Sequence, residues 1–490
     1  MTISSRPASP QREKTASLKD KRRNYNMKGN YLYILLLCTI LFGACGCEKK
    51  STSKDEPKPE QKDTAVVIGP TDMSLIESSV PVTDNWVWSG KPQITIQITN
   101  GNPNAVQLGT KVVITTDKKA EVVTITDSVV IGTKSQKDVV VTTTTKLEPG
   151  IYHAECYVDT AHVRGFNFAI DPFEITSVND KPADFDQFWQ AAKDQLAAID
   201  MNAQLKEIQE RSTAQCKVYL VEMMSVPDGL SGEPVKIRGY YCEPQDGQKH
   251  PVILHFYGYD TQGYTGPVDC PYGSTKAEFY LSHRGQYLNN RPAGTNLGVD
   301  EATVNIYGDW FRYNLGEKDN YYYRGAYMDV VQAIRFMATR EASDMTKLFA
   351  EGSSQGGALT YVAAALSDYP FTAIAANVAF MGDFADAKDI ESLAYWEISD
   401  HYWVDGVPVE QSLRYLPYFD IKHLTPRISC PVLGSSGLAD DVCPARLNLV
   451  PFNNLATPAE KKEYILEPEM GHSYPRNWYS KMNELFGKYF

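Results

Sequence analysis

Between positions 347 and 366 the chain turns from a buried strand into an apolar helix within a handful of residues, and no other stretch constrains the fold as tightly. The turn is Glu351-Gly352-Ser353-Ser354-Gln355-Gly356-Gly357-Ala358. Residues 347–351 read as the strand and 357–366 as the helix, which puts Ser354 at the apex in a strained backbone conformation. A Cβ at Gly352 or Gly356 would collide with the neighbouring strand or helix, so both positions require glycine. The serine hydroxyl is then exposed at the positive end of a helix, where the helix field and the Gln355 backbone N–H favour an oxyanion. A Gly-x-Ser-x-Gly match alone arises by chance in about one of six chains of this length. The strand and helix on either side of it carry the reading.

The surrounding pattern agrees. A helix opens near Asp184-Phe185-Asp186-Gln187-Phe188-Trp189, with Asp184 as its expected N-cap. Residues 218–225, 235–242 and 252–256 read as strands, and 324–339 carries Ala326, Val330, Ile334 and Met337 on one helical face. Two more buried runs follow at 373–380 and 432–435, and a last amphipathic helix starts at Trp478, with Met482, Leu485 and Tyr489 on its apolar side. Strands alternating with helical periods predict a doubly wound parallel sheet covered on both faces, here spanning residues 176–490.

Residues 65–175 have a different texture. Short runs rich in Val, Ile and Thr at 94–98, 111–115, 121–126, 138–145 and 152–158 are separated by turn residues, the pattern of a β-sandwich of immunoglobulin-like type. Its expected role is a rigid spacer or an interface for the larger domain.

Ahead of it, residues 1–44 read as a processing segment, with basic residues up to Lys28 and an apolar run, 31–42, too short to span a bilayer. Phe42-Gly43-Ala44-Cys45 follows, the pattern of a bacterial lipoprotein signal in which Cys45 is diacylated; Cys47 is the weaker candidate, because Ala44 would stand three residues before it. Met27 is the more ordinary start of such a signal, so the first 26 residues read as a start-site artefact. Residues 45–64 are rich in Lys, Glu, Ser and Pro, a disordered tether. These features predict a protein lipid-anchored in the cell envelope, meeting the membrane through that anchor alone. The formal net charge is −12, and residues 1–44 hold eight Lys or Arg against two Asp or Glu, so their +6 leaves −18 on the remainder. An acidic body of that size argues against nucleic acid as a partner. Seven cysteines follow Cys45 at spacings of neither a zinc ribbon nor a Cys-x-x-Cys pair, and their odd number forbids complete internal pairing. Buried thiols with one disulfide, and no metal, are expected.

A serine hydroxyl needs a base, and the base needs an acidic partner. In this kind of fold they follow in the order serine, acid, histidine. Gly437-Leu438-Ala439-Asp440-Asp441 offers the acid just past a late strand, with Asp441 as the neighbouring alternative and a helix-capping role open to Asp440. Glu469-Met470-Gly471-His472 offers a histidine before the final helix, the only one after the acid. The strand and loop at 252–260 place Gly258-Tyr259-Asp260 where a second oxyanion donor belongs.

These motifs together resemble the acetyl xylan esterase and cephalosporin C deacetylase family of α/β-hydrolases over about 182–490. The resemblance rests on Asp184 to Trp189, Gly258-Tyr259-Asp260, Arg284-Gly285-Gln286, Arg324-Gly325 with Asp329, Gly352 to Gly357, Tyr418-Phe419-Asp420, Gly437 to Asp440 with Cys443-Pro444, and Gly471-His472. It implies Ser354 as nucleophile, His472 as base, Asp440 as its partner, backbone amides of Tyr259 and Gln355 as the oxyanion hole, and no cofactor. The implied reaction removes acetyl from small sugars or similar acetylated compounds, and a homo-oligomer is a family habit. Asp260 for the usual Asn, Ala358 for a frequent third Gly, Cys-Pro-Ala for Cys-Pro-Pro and the added β-domain are departures that bear on substrate and assembly. Tyr395, Trp396, Tyr402 and Trp403 suit a sugar-lined pocket, though an aromatic core under a cap is the commoner arrangement. Two other readings fit parts of the pattern. A serine peptidase of dipeptidyl type requires a propeller that about 110 residues cannot build, and a carbohydrate-binding lipoprotein with an inactive body has no use for an intact Ser354, Asp440 and His472.

Overall fold

The computed structural model describes residues 67–229, 232–259, 270, 273–285 and 309–490. The processing segment, the tether, Asp260 and Gln286 lie outside them. Eight strands come first: β1 (Ile76–Ser79), β2 (Val87–Trp88), β3 (Ile94–Asn100), β4 (Val106–Thr116), β5 (Glu121–Ile131), β6 (Ser135–Val141), β7 (Gly150–Val158) and β8 (Ala161–Ile170). They form a three-stranded sheet, β1-β3-β6, and a five-stranded sheet, β2-β8-β7-β4-β5. Strict alternation in β3, where Ile94, Ile96 and Ile98 are buried and Thr95, Gln97 and Thr99 are not, faces one sheet onto the core it shares with Leu108, Val112, Ala154 and Phe168 of the other. Five of the eight strands coincide with the Val/Ile/Thr runs; β1, β2 and β8 had no such run to mark them.

The remaining nine strands make one sheet: β9 (Gln204–Glu207), β10 (Cys216–Pro227), β11 (Pro234–Pro244), β12 (His250–Phe256), β13 (Ala277–Ser282), β14 (Ser343–Ser353), β15 (Ala373–Asn377), β16 (Val432–Gly437) and β17 (Lys462–Glu467), in the order β17-β16-β15-β14-β12-β13-β11-β10-β9. The expectation of a parallel sheet holds for the six strands from β17 to β13 and fails at the other edge, where β11, β10 and β9 run antiparallel. The cause is connection length. Only 228–233 separate β10 from β11, too few for the crossover that parallel neighbours need.

Helices α1 (Phe185–Ala197), α2 (Tyr322–Ala338) and α3 (Gln355–Leu366) pack on one face against Leu254, Leu348 and Ala350. Four further helices, α4 (Phe384–Ala387), α5 (Leu393–Trp403), α6 (Val409–Tyr415) and α7 (Ala445–Asn453), precede α8 (Trp478–Gly487), which closes the other face against Ile253, Phe349 and Leu433. In α8 Trp478, Met482 and Phe486 are the buried positions, each contributing ~2 kcal/mol of apolar burial. Leu485 is partly buried, and Tyr489 lies past the helix end and is 37% exposed. Asp184 does stand at the N-cap position of α1, but its carboxylate makes no capping bond; it accepts instead from Lys318 Nζ at 2.9 Å and from the Tyr418 hydroxyl. Trp189 Nε1 donates to the Tyr418 carbonyl at 3.0 Å, so the opening motif of the domain and Tyr418-Phe419-Asp420 brace one another. Arg284 and Asp329 form a buried pair, with Arg284 Nε and backbone N–H both on Asp329 Oδ2 at 2.9 and 3.0 Å. Cys242 and Cys270 form a disulfide, and Cys156, Cys216, Cys430 and Cys443 are free.

The β-domain and the nine-stranded sheet are not joined by a bare linker. Leu438, Ala445, Leu449 and Val450, from β16's end and α7, sit inside the β-domain's apolar core. Arg446 adds a polar seam, donating to Asp386 at 2.7 Å and lying 3.8 Å from Asp117 of the β-domain.

Candidate active site

Ser354 takes φ +60° and ψ −122°, at the junction of β14 and α3. The strain is held from three sides: its N–H donates to the Asn377 carbonyl at 2.9 Å, and its carbonyl accepts from Ala358 N–H at 3.1 Å and from Phe380 N–H at 2.9 Å. The glycines are there for space. A Cβ on Gly352 would come within 2.4 Å of the Gly356 carbonyl oxygen, and one on Gly356 within 2.0 Å of the Phe256 carbonyl oxygen. Both obstacles are backbone and cannot swing aside.

His472 Nδ1 lies 2.9 Å from Asp440 Oδ2. The other carboxylate oxygen accepts the backbone N–H groups of Val442 at 2.9 Å and Cys443 at 2.8 Å. Asp440 therefore holds the imidazole and the turn at 440–443 together, but it is not the helix cap: the N-cap position of α7 is Pro444. Asp440 is 4% exposed, whereas Asp441 is exposed. Burial of the carboxylate strengthens its hydrogen bond to the ring and favours Nδ1 as the protonated nitrogen, which leaves the lone pair on Nε2.

The serine turn and the histidine loop meet at Asn377, the buried last residue of β15. Its Nδ2 donates to Ser353 Oγ at 2.7 Å and to the Ser473 carbonyl at 3.1 Å, and its Oδ1 accepts from Ser435 Oγ. One amide thus ties the residue before Ser354 to the residue after His472. Gly258 completes the enclosure, since a Cβ there would stand 3.8 Å from Ser354 Cβ; the Tyr259 amide follows directly. The Tyr259 side chain is anchored away from this spot, donating to Asp309 Oδ1 at 2.6 Å.

Gln355 is fully buried, and its side chain is committed: Oε1 accepts from the Tyr323 hydroxyl at 2.7 Å, and Nε2 lies 2.9 Å from His283 Nε2. Burial, against the pull of Asp329 and with the help of Arg284, pushes the His283 pKa down to about 4. The ring is neutral at pH 7 and accepts from the amide. With its side chain committed, Gln355 keeps only its backbone N–H at the helix N-terminus.

Sequence reasoning used Cys443 only as part of a motif. The structure buries its thiol close to Ser354, with its pKa raised well above the ordinary thiol value by burial and the Asp440 charge. Asn377 was missed altogether, and only its place at the end of a short buried strand could have marked it. The aromatic segment is not core: Tyr395, Tyr402 and Trp403 on α5 are 38%, 42% and 54% exposed. The helix is fixed at its other end to the acid loop, Leu393 N–H donating to the Val442 carbonyl at 3.0 Å. Among the described residues, Cys242, Cys270 and Glu278 lie close enough together to hold an ion, but the disulfide removes both thiolates as ligands.

A serine hydroxyl at a helix N-terminus and a carboxylate-held imidazole on a loop tied to it suit acyl transfer. The family model for acetyl xylan esterase (AXE1) matches residues 172–487. An acetyl esterase of Xylanibacter ruminicola is 26% identical over 330 residues, 67% of this chain and 72% of that protein. Two solved structures share the fold: an acetyl xylan esterase from a Paenibacillus species, 26% identical with a TM-score of 0.54, and acetyl xylan esterase 1 from a Thermoanaerobacterium species, 24% identical with a TM-score of 0.55, each covering 65% of this chain and 98% of its own. The family match takes in well over half of the sequence and every element that builds the site, and this chain belongs to the acetyl xylan esterase family.

Proposed function

We propose that Ser354 is the nucleophile of a serine carboxylesterase, with His472 as general base, Asp440 as the carboxylate that orients it, and the backbone N–H groups of Tyr259 and Gln355 as oxyanion donors. The observation that carries this reading is the Asp440–His472 hydrogen bond, on a loop that one Asn377 amide ties to the serine turn. As Ser354 Oγ bonds to the acetyl carbon, His472 Nε2 takes its proton, and the carbonyl electrons collect on an oxygen facing the two amides. Collapse expels the sugar oxygen, which leaves with the proton from His472. Water then gives its proton to His472 and attacks the acetyl-enzyme, releasing acetate and free Ser354. No step uses a metal or an organic cofactor.

The substrate class is an acetylated oligosaccharide of xylan type or a similarly small acetylated compound. The family membership supports it, and so do the exposed rings of Tyr395, Tyr402 and Trp403, which suit stacking on pyranose faces. The test is acetate release from acetylated xylo-oligosaccharides and from p-nitrophenyl acetate by the wild type and by Ser354→Ala. A drop of several orders of magnitude is expected on both; equal rates in the two proteins would remove Ser354 from the mechanism.

The residues ahead of the β-domain support a lipid anchor at Cys45 and a place in the cell envelope. Radiolabelled palmitate should enter the wild type and not Cys45→Ala in a bacterial host. For the β-domain, an immunoglobulin-like sandwich is the proposed type, supported by two sheets that share one core.

A further inference from the structure

The acid loop and the histidine loop are held from outside by the β-domain. Asn167 on β8 donates from Nδ2 to the carbonyl of Leu438, two residues ahead of Asp440, at 2.7 Å. The side chain of Leu438 is 2% exposed and belongs to the β-domain's core, as do Ala445, Leu449 and Val450 just past the loop. The segment that carries Asp440 is therefore clamped at both ends by residues buried in the other domain. On the histidine side, Arg164 of β8 pairs with Glu469, three residues ahead of His472. Arg164 is braced over the Trp86 ring at 4.8 Å and on the Val80 carbonyl at 3.2 Å. The two loops are also joined directly, Ala439 N–H donating to the Met470 carbonyl at 3.1 Å.

Asn167 is aimed rather than incidental. Its Oδ1 lies 2.7 Å from His153 Nδ1, and His153 Nε2 lies 3.0 Å from Glu155 Oε1. The Leu438 carbonyl can only accept, so it fixes the Nδ2 end of the amide towards the loop and leaves Oδ1 beside His153.

We propose that the β-domain is a positioning part of the esterase site, holding the Asp440–His472 pair in register with Ser354 through Asn167 and Leu438. The proposal rests on the assignment of Asp440 and His472 made above. Asn167 touches no reacting atom and acts through the loop. A displacement of the imidazole by about 1 Å is enough to cost up to ~100-fold in turnover, so a lost loop tether is read in kcat rather than in KM.

The test uses the full chain in four variants: Asn167→Ala, Arg164→Ala, His472→Ala, and Ile98→Ala, which weakens the β-domain core from β3 and leaves the Asn167 and Arg164 bonds to the loops in place. Steady-state kinetics on p-nitrophenyl acetate, the rate of Ser354 labelling by a fluorophosphonate, and Tm are measured for each. Asn167→Ala is expected to lose about tenfold or more in kcat and in labelling rate with KM changed less than twofold. Arg164→Ala, an exposed pair, is expected to lose less. Ile98→Ala is expected to lose Tm while keeping kcat. The proposal is overturned if Asn167→Ala keeps wild-type kcat, or if Asn167→Ala and Ile98→Ala lose activity only in proportion to their Tm. An active His472→Ala would instead overturn the site assignment itself.

Discussion

Asn377 Nδ2 donates to the Ser473 carbonyl oxygen at 3.1 Å, and the same nitrogen holds Ser353 Oγ at 2.7 Å, so two chain segments about 120 positions apart meet on one buried amide. The Asn377 carbonyl also accepts the Ser354 N–H. That second contact is backbone and survives substitution of the side chain.

Asn377→Ala therefore tests the side-chain tie alone. It strips a donor from Ser353 and from Ser473 and an acceptor from Ser435, all in a buried setting, at a cost of about 2–3 kcal/mol in stability. With the histidine loop freed from the serine turn, kcat on p-nitrophenyl acetate is expected to fall about 10–100-fold while KM changes little. Chemical denaturation and steady-state kinetics on the same preparation separate the two effects; unchanged kcat would show that the loop holds its place without the amide.

The parts of this site that were legible in the sequence are those where one residue type is obligatory. Gly352 and Gly356 announce the turn because backbone stands where a Cβ would go, and Asp440 and His472 follow it in the one chain order that this fold uses. What was not legible depends on tertiary contact. β8 escapes a periodicity reading because His162 and Arg164 occupy the face that Phe166, Phe168 and Ile170 continue, yet Arg164 and Asn167 reach the histidine and acid loops. Asp184 was rightly placed at a helix start, but it spends its carboxylate on Lys318 and Tyr418 because both reach it from other elements. The aromatic run 395–403 looks like core from composition alone; only the fold shows that α5 turns three of its rings to the outside.

Those rings give a prediction that separates binding from chemistry. Trp403 is 54% exposed and packs edge-on to Tyr402 at 4.7 Å between ring centroids. A pyranose stacked there would bury apolar surface without touching Ser354. Trp403→Ala is expected to raise KM for acetylated xylo-oligosaccharides about 3–10-fold, one stacking contact's worth, and to leave p-nitrophenyl acetate kinetics within twofold. Equal effects on the two substrates would place the ring in the scaffold.

Two buried histidines set the pH window of stability from opposite sides. His283 has its pKa pushed down to about 4 by burial. Unfolding lets it take a proton at ordinary affinity, so stability falls as pH drops from about 6.5 to 4. His255 is the reverse. Burial alone would depress it, but the carboxylates of Glu278, 3.3 Å from Nε2, and Glu351, 2.7 Å from Nδ1, raise it to about 9. Its contribution is fully present below about 6.5 and is lost as pH rises through 9. Each shift corresponds to roughly 3 kcal/mol, so Tm is expected to peak near pH 6 to 7. In His255→Gln the alkaline limb of the Tm profile should flatten while the acid limb stays; an unchanged alkaline limb would assign it to other groups.

Cys443 offers the last test, because its thiol is buried close to Ser354 and yet is inert by environment. Full burial and the neighbouring Asp440 carboxylate hold its pKa well above the ordinary thiol value, so almost no thiolate exists at pH 7 to 8. Iodoacetamide should leave Cys443 unmodified in the native protein and modify it after denaturation, as read by peptide mapping. Its size is what the site uses. Cys443→Ala removes one buried sulfur and is expected to keep kcat within about threefold. Cys443→Leu adds atoms where Ser354, the end of the acid loop and the start of α7 already meet. That overpacking costs about 1–3 kcal/mol and pushes on the nucleophile itself, so kcat should fall at least tenfold. If Cys443→Ala proved as damaging as Cys443→Leu, the thiol itself, rather than the space it leaves, would be the property the site depends on.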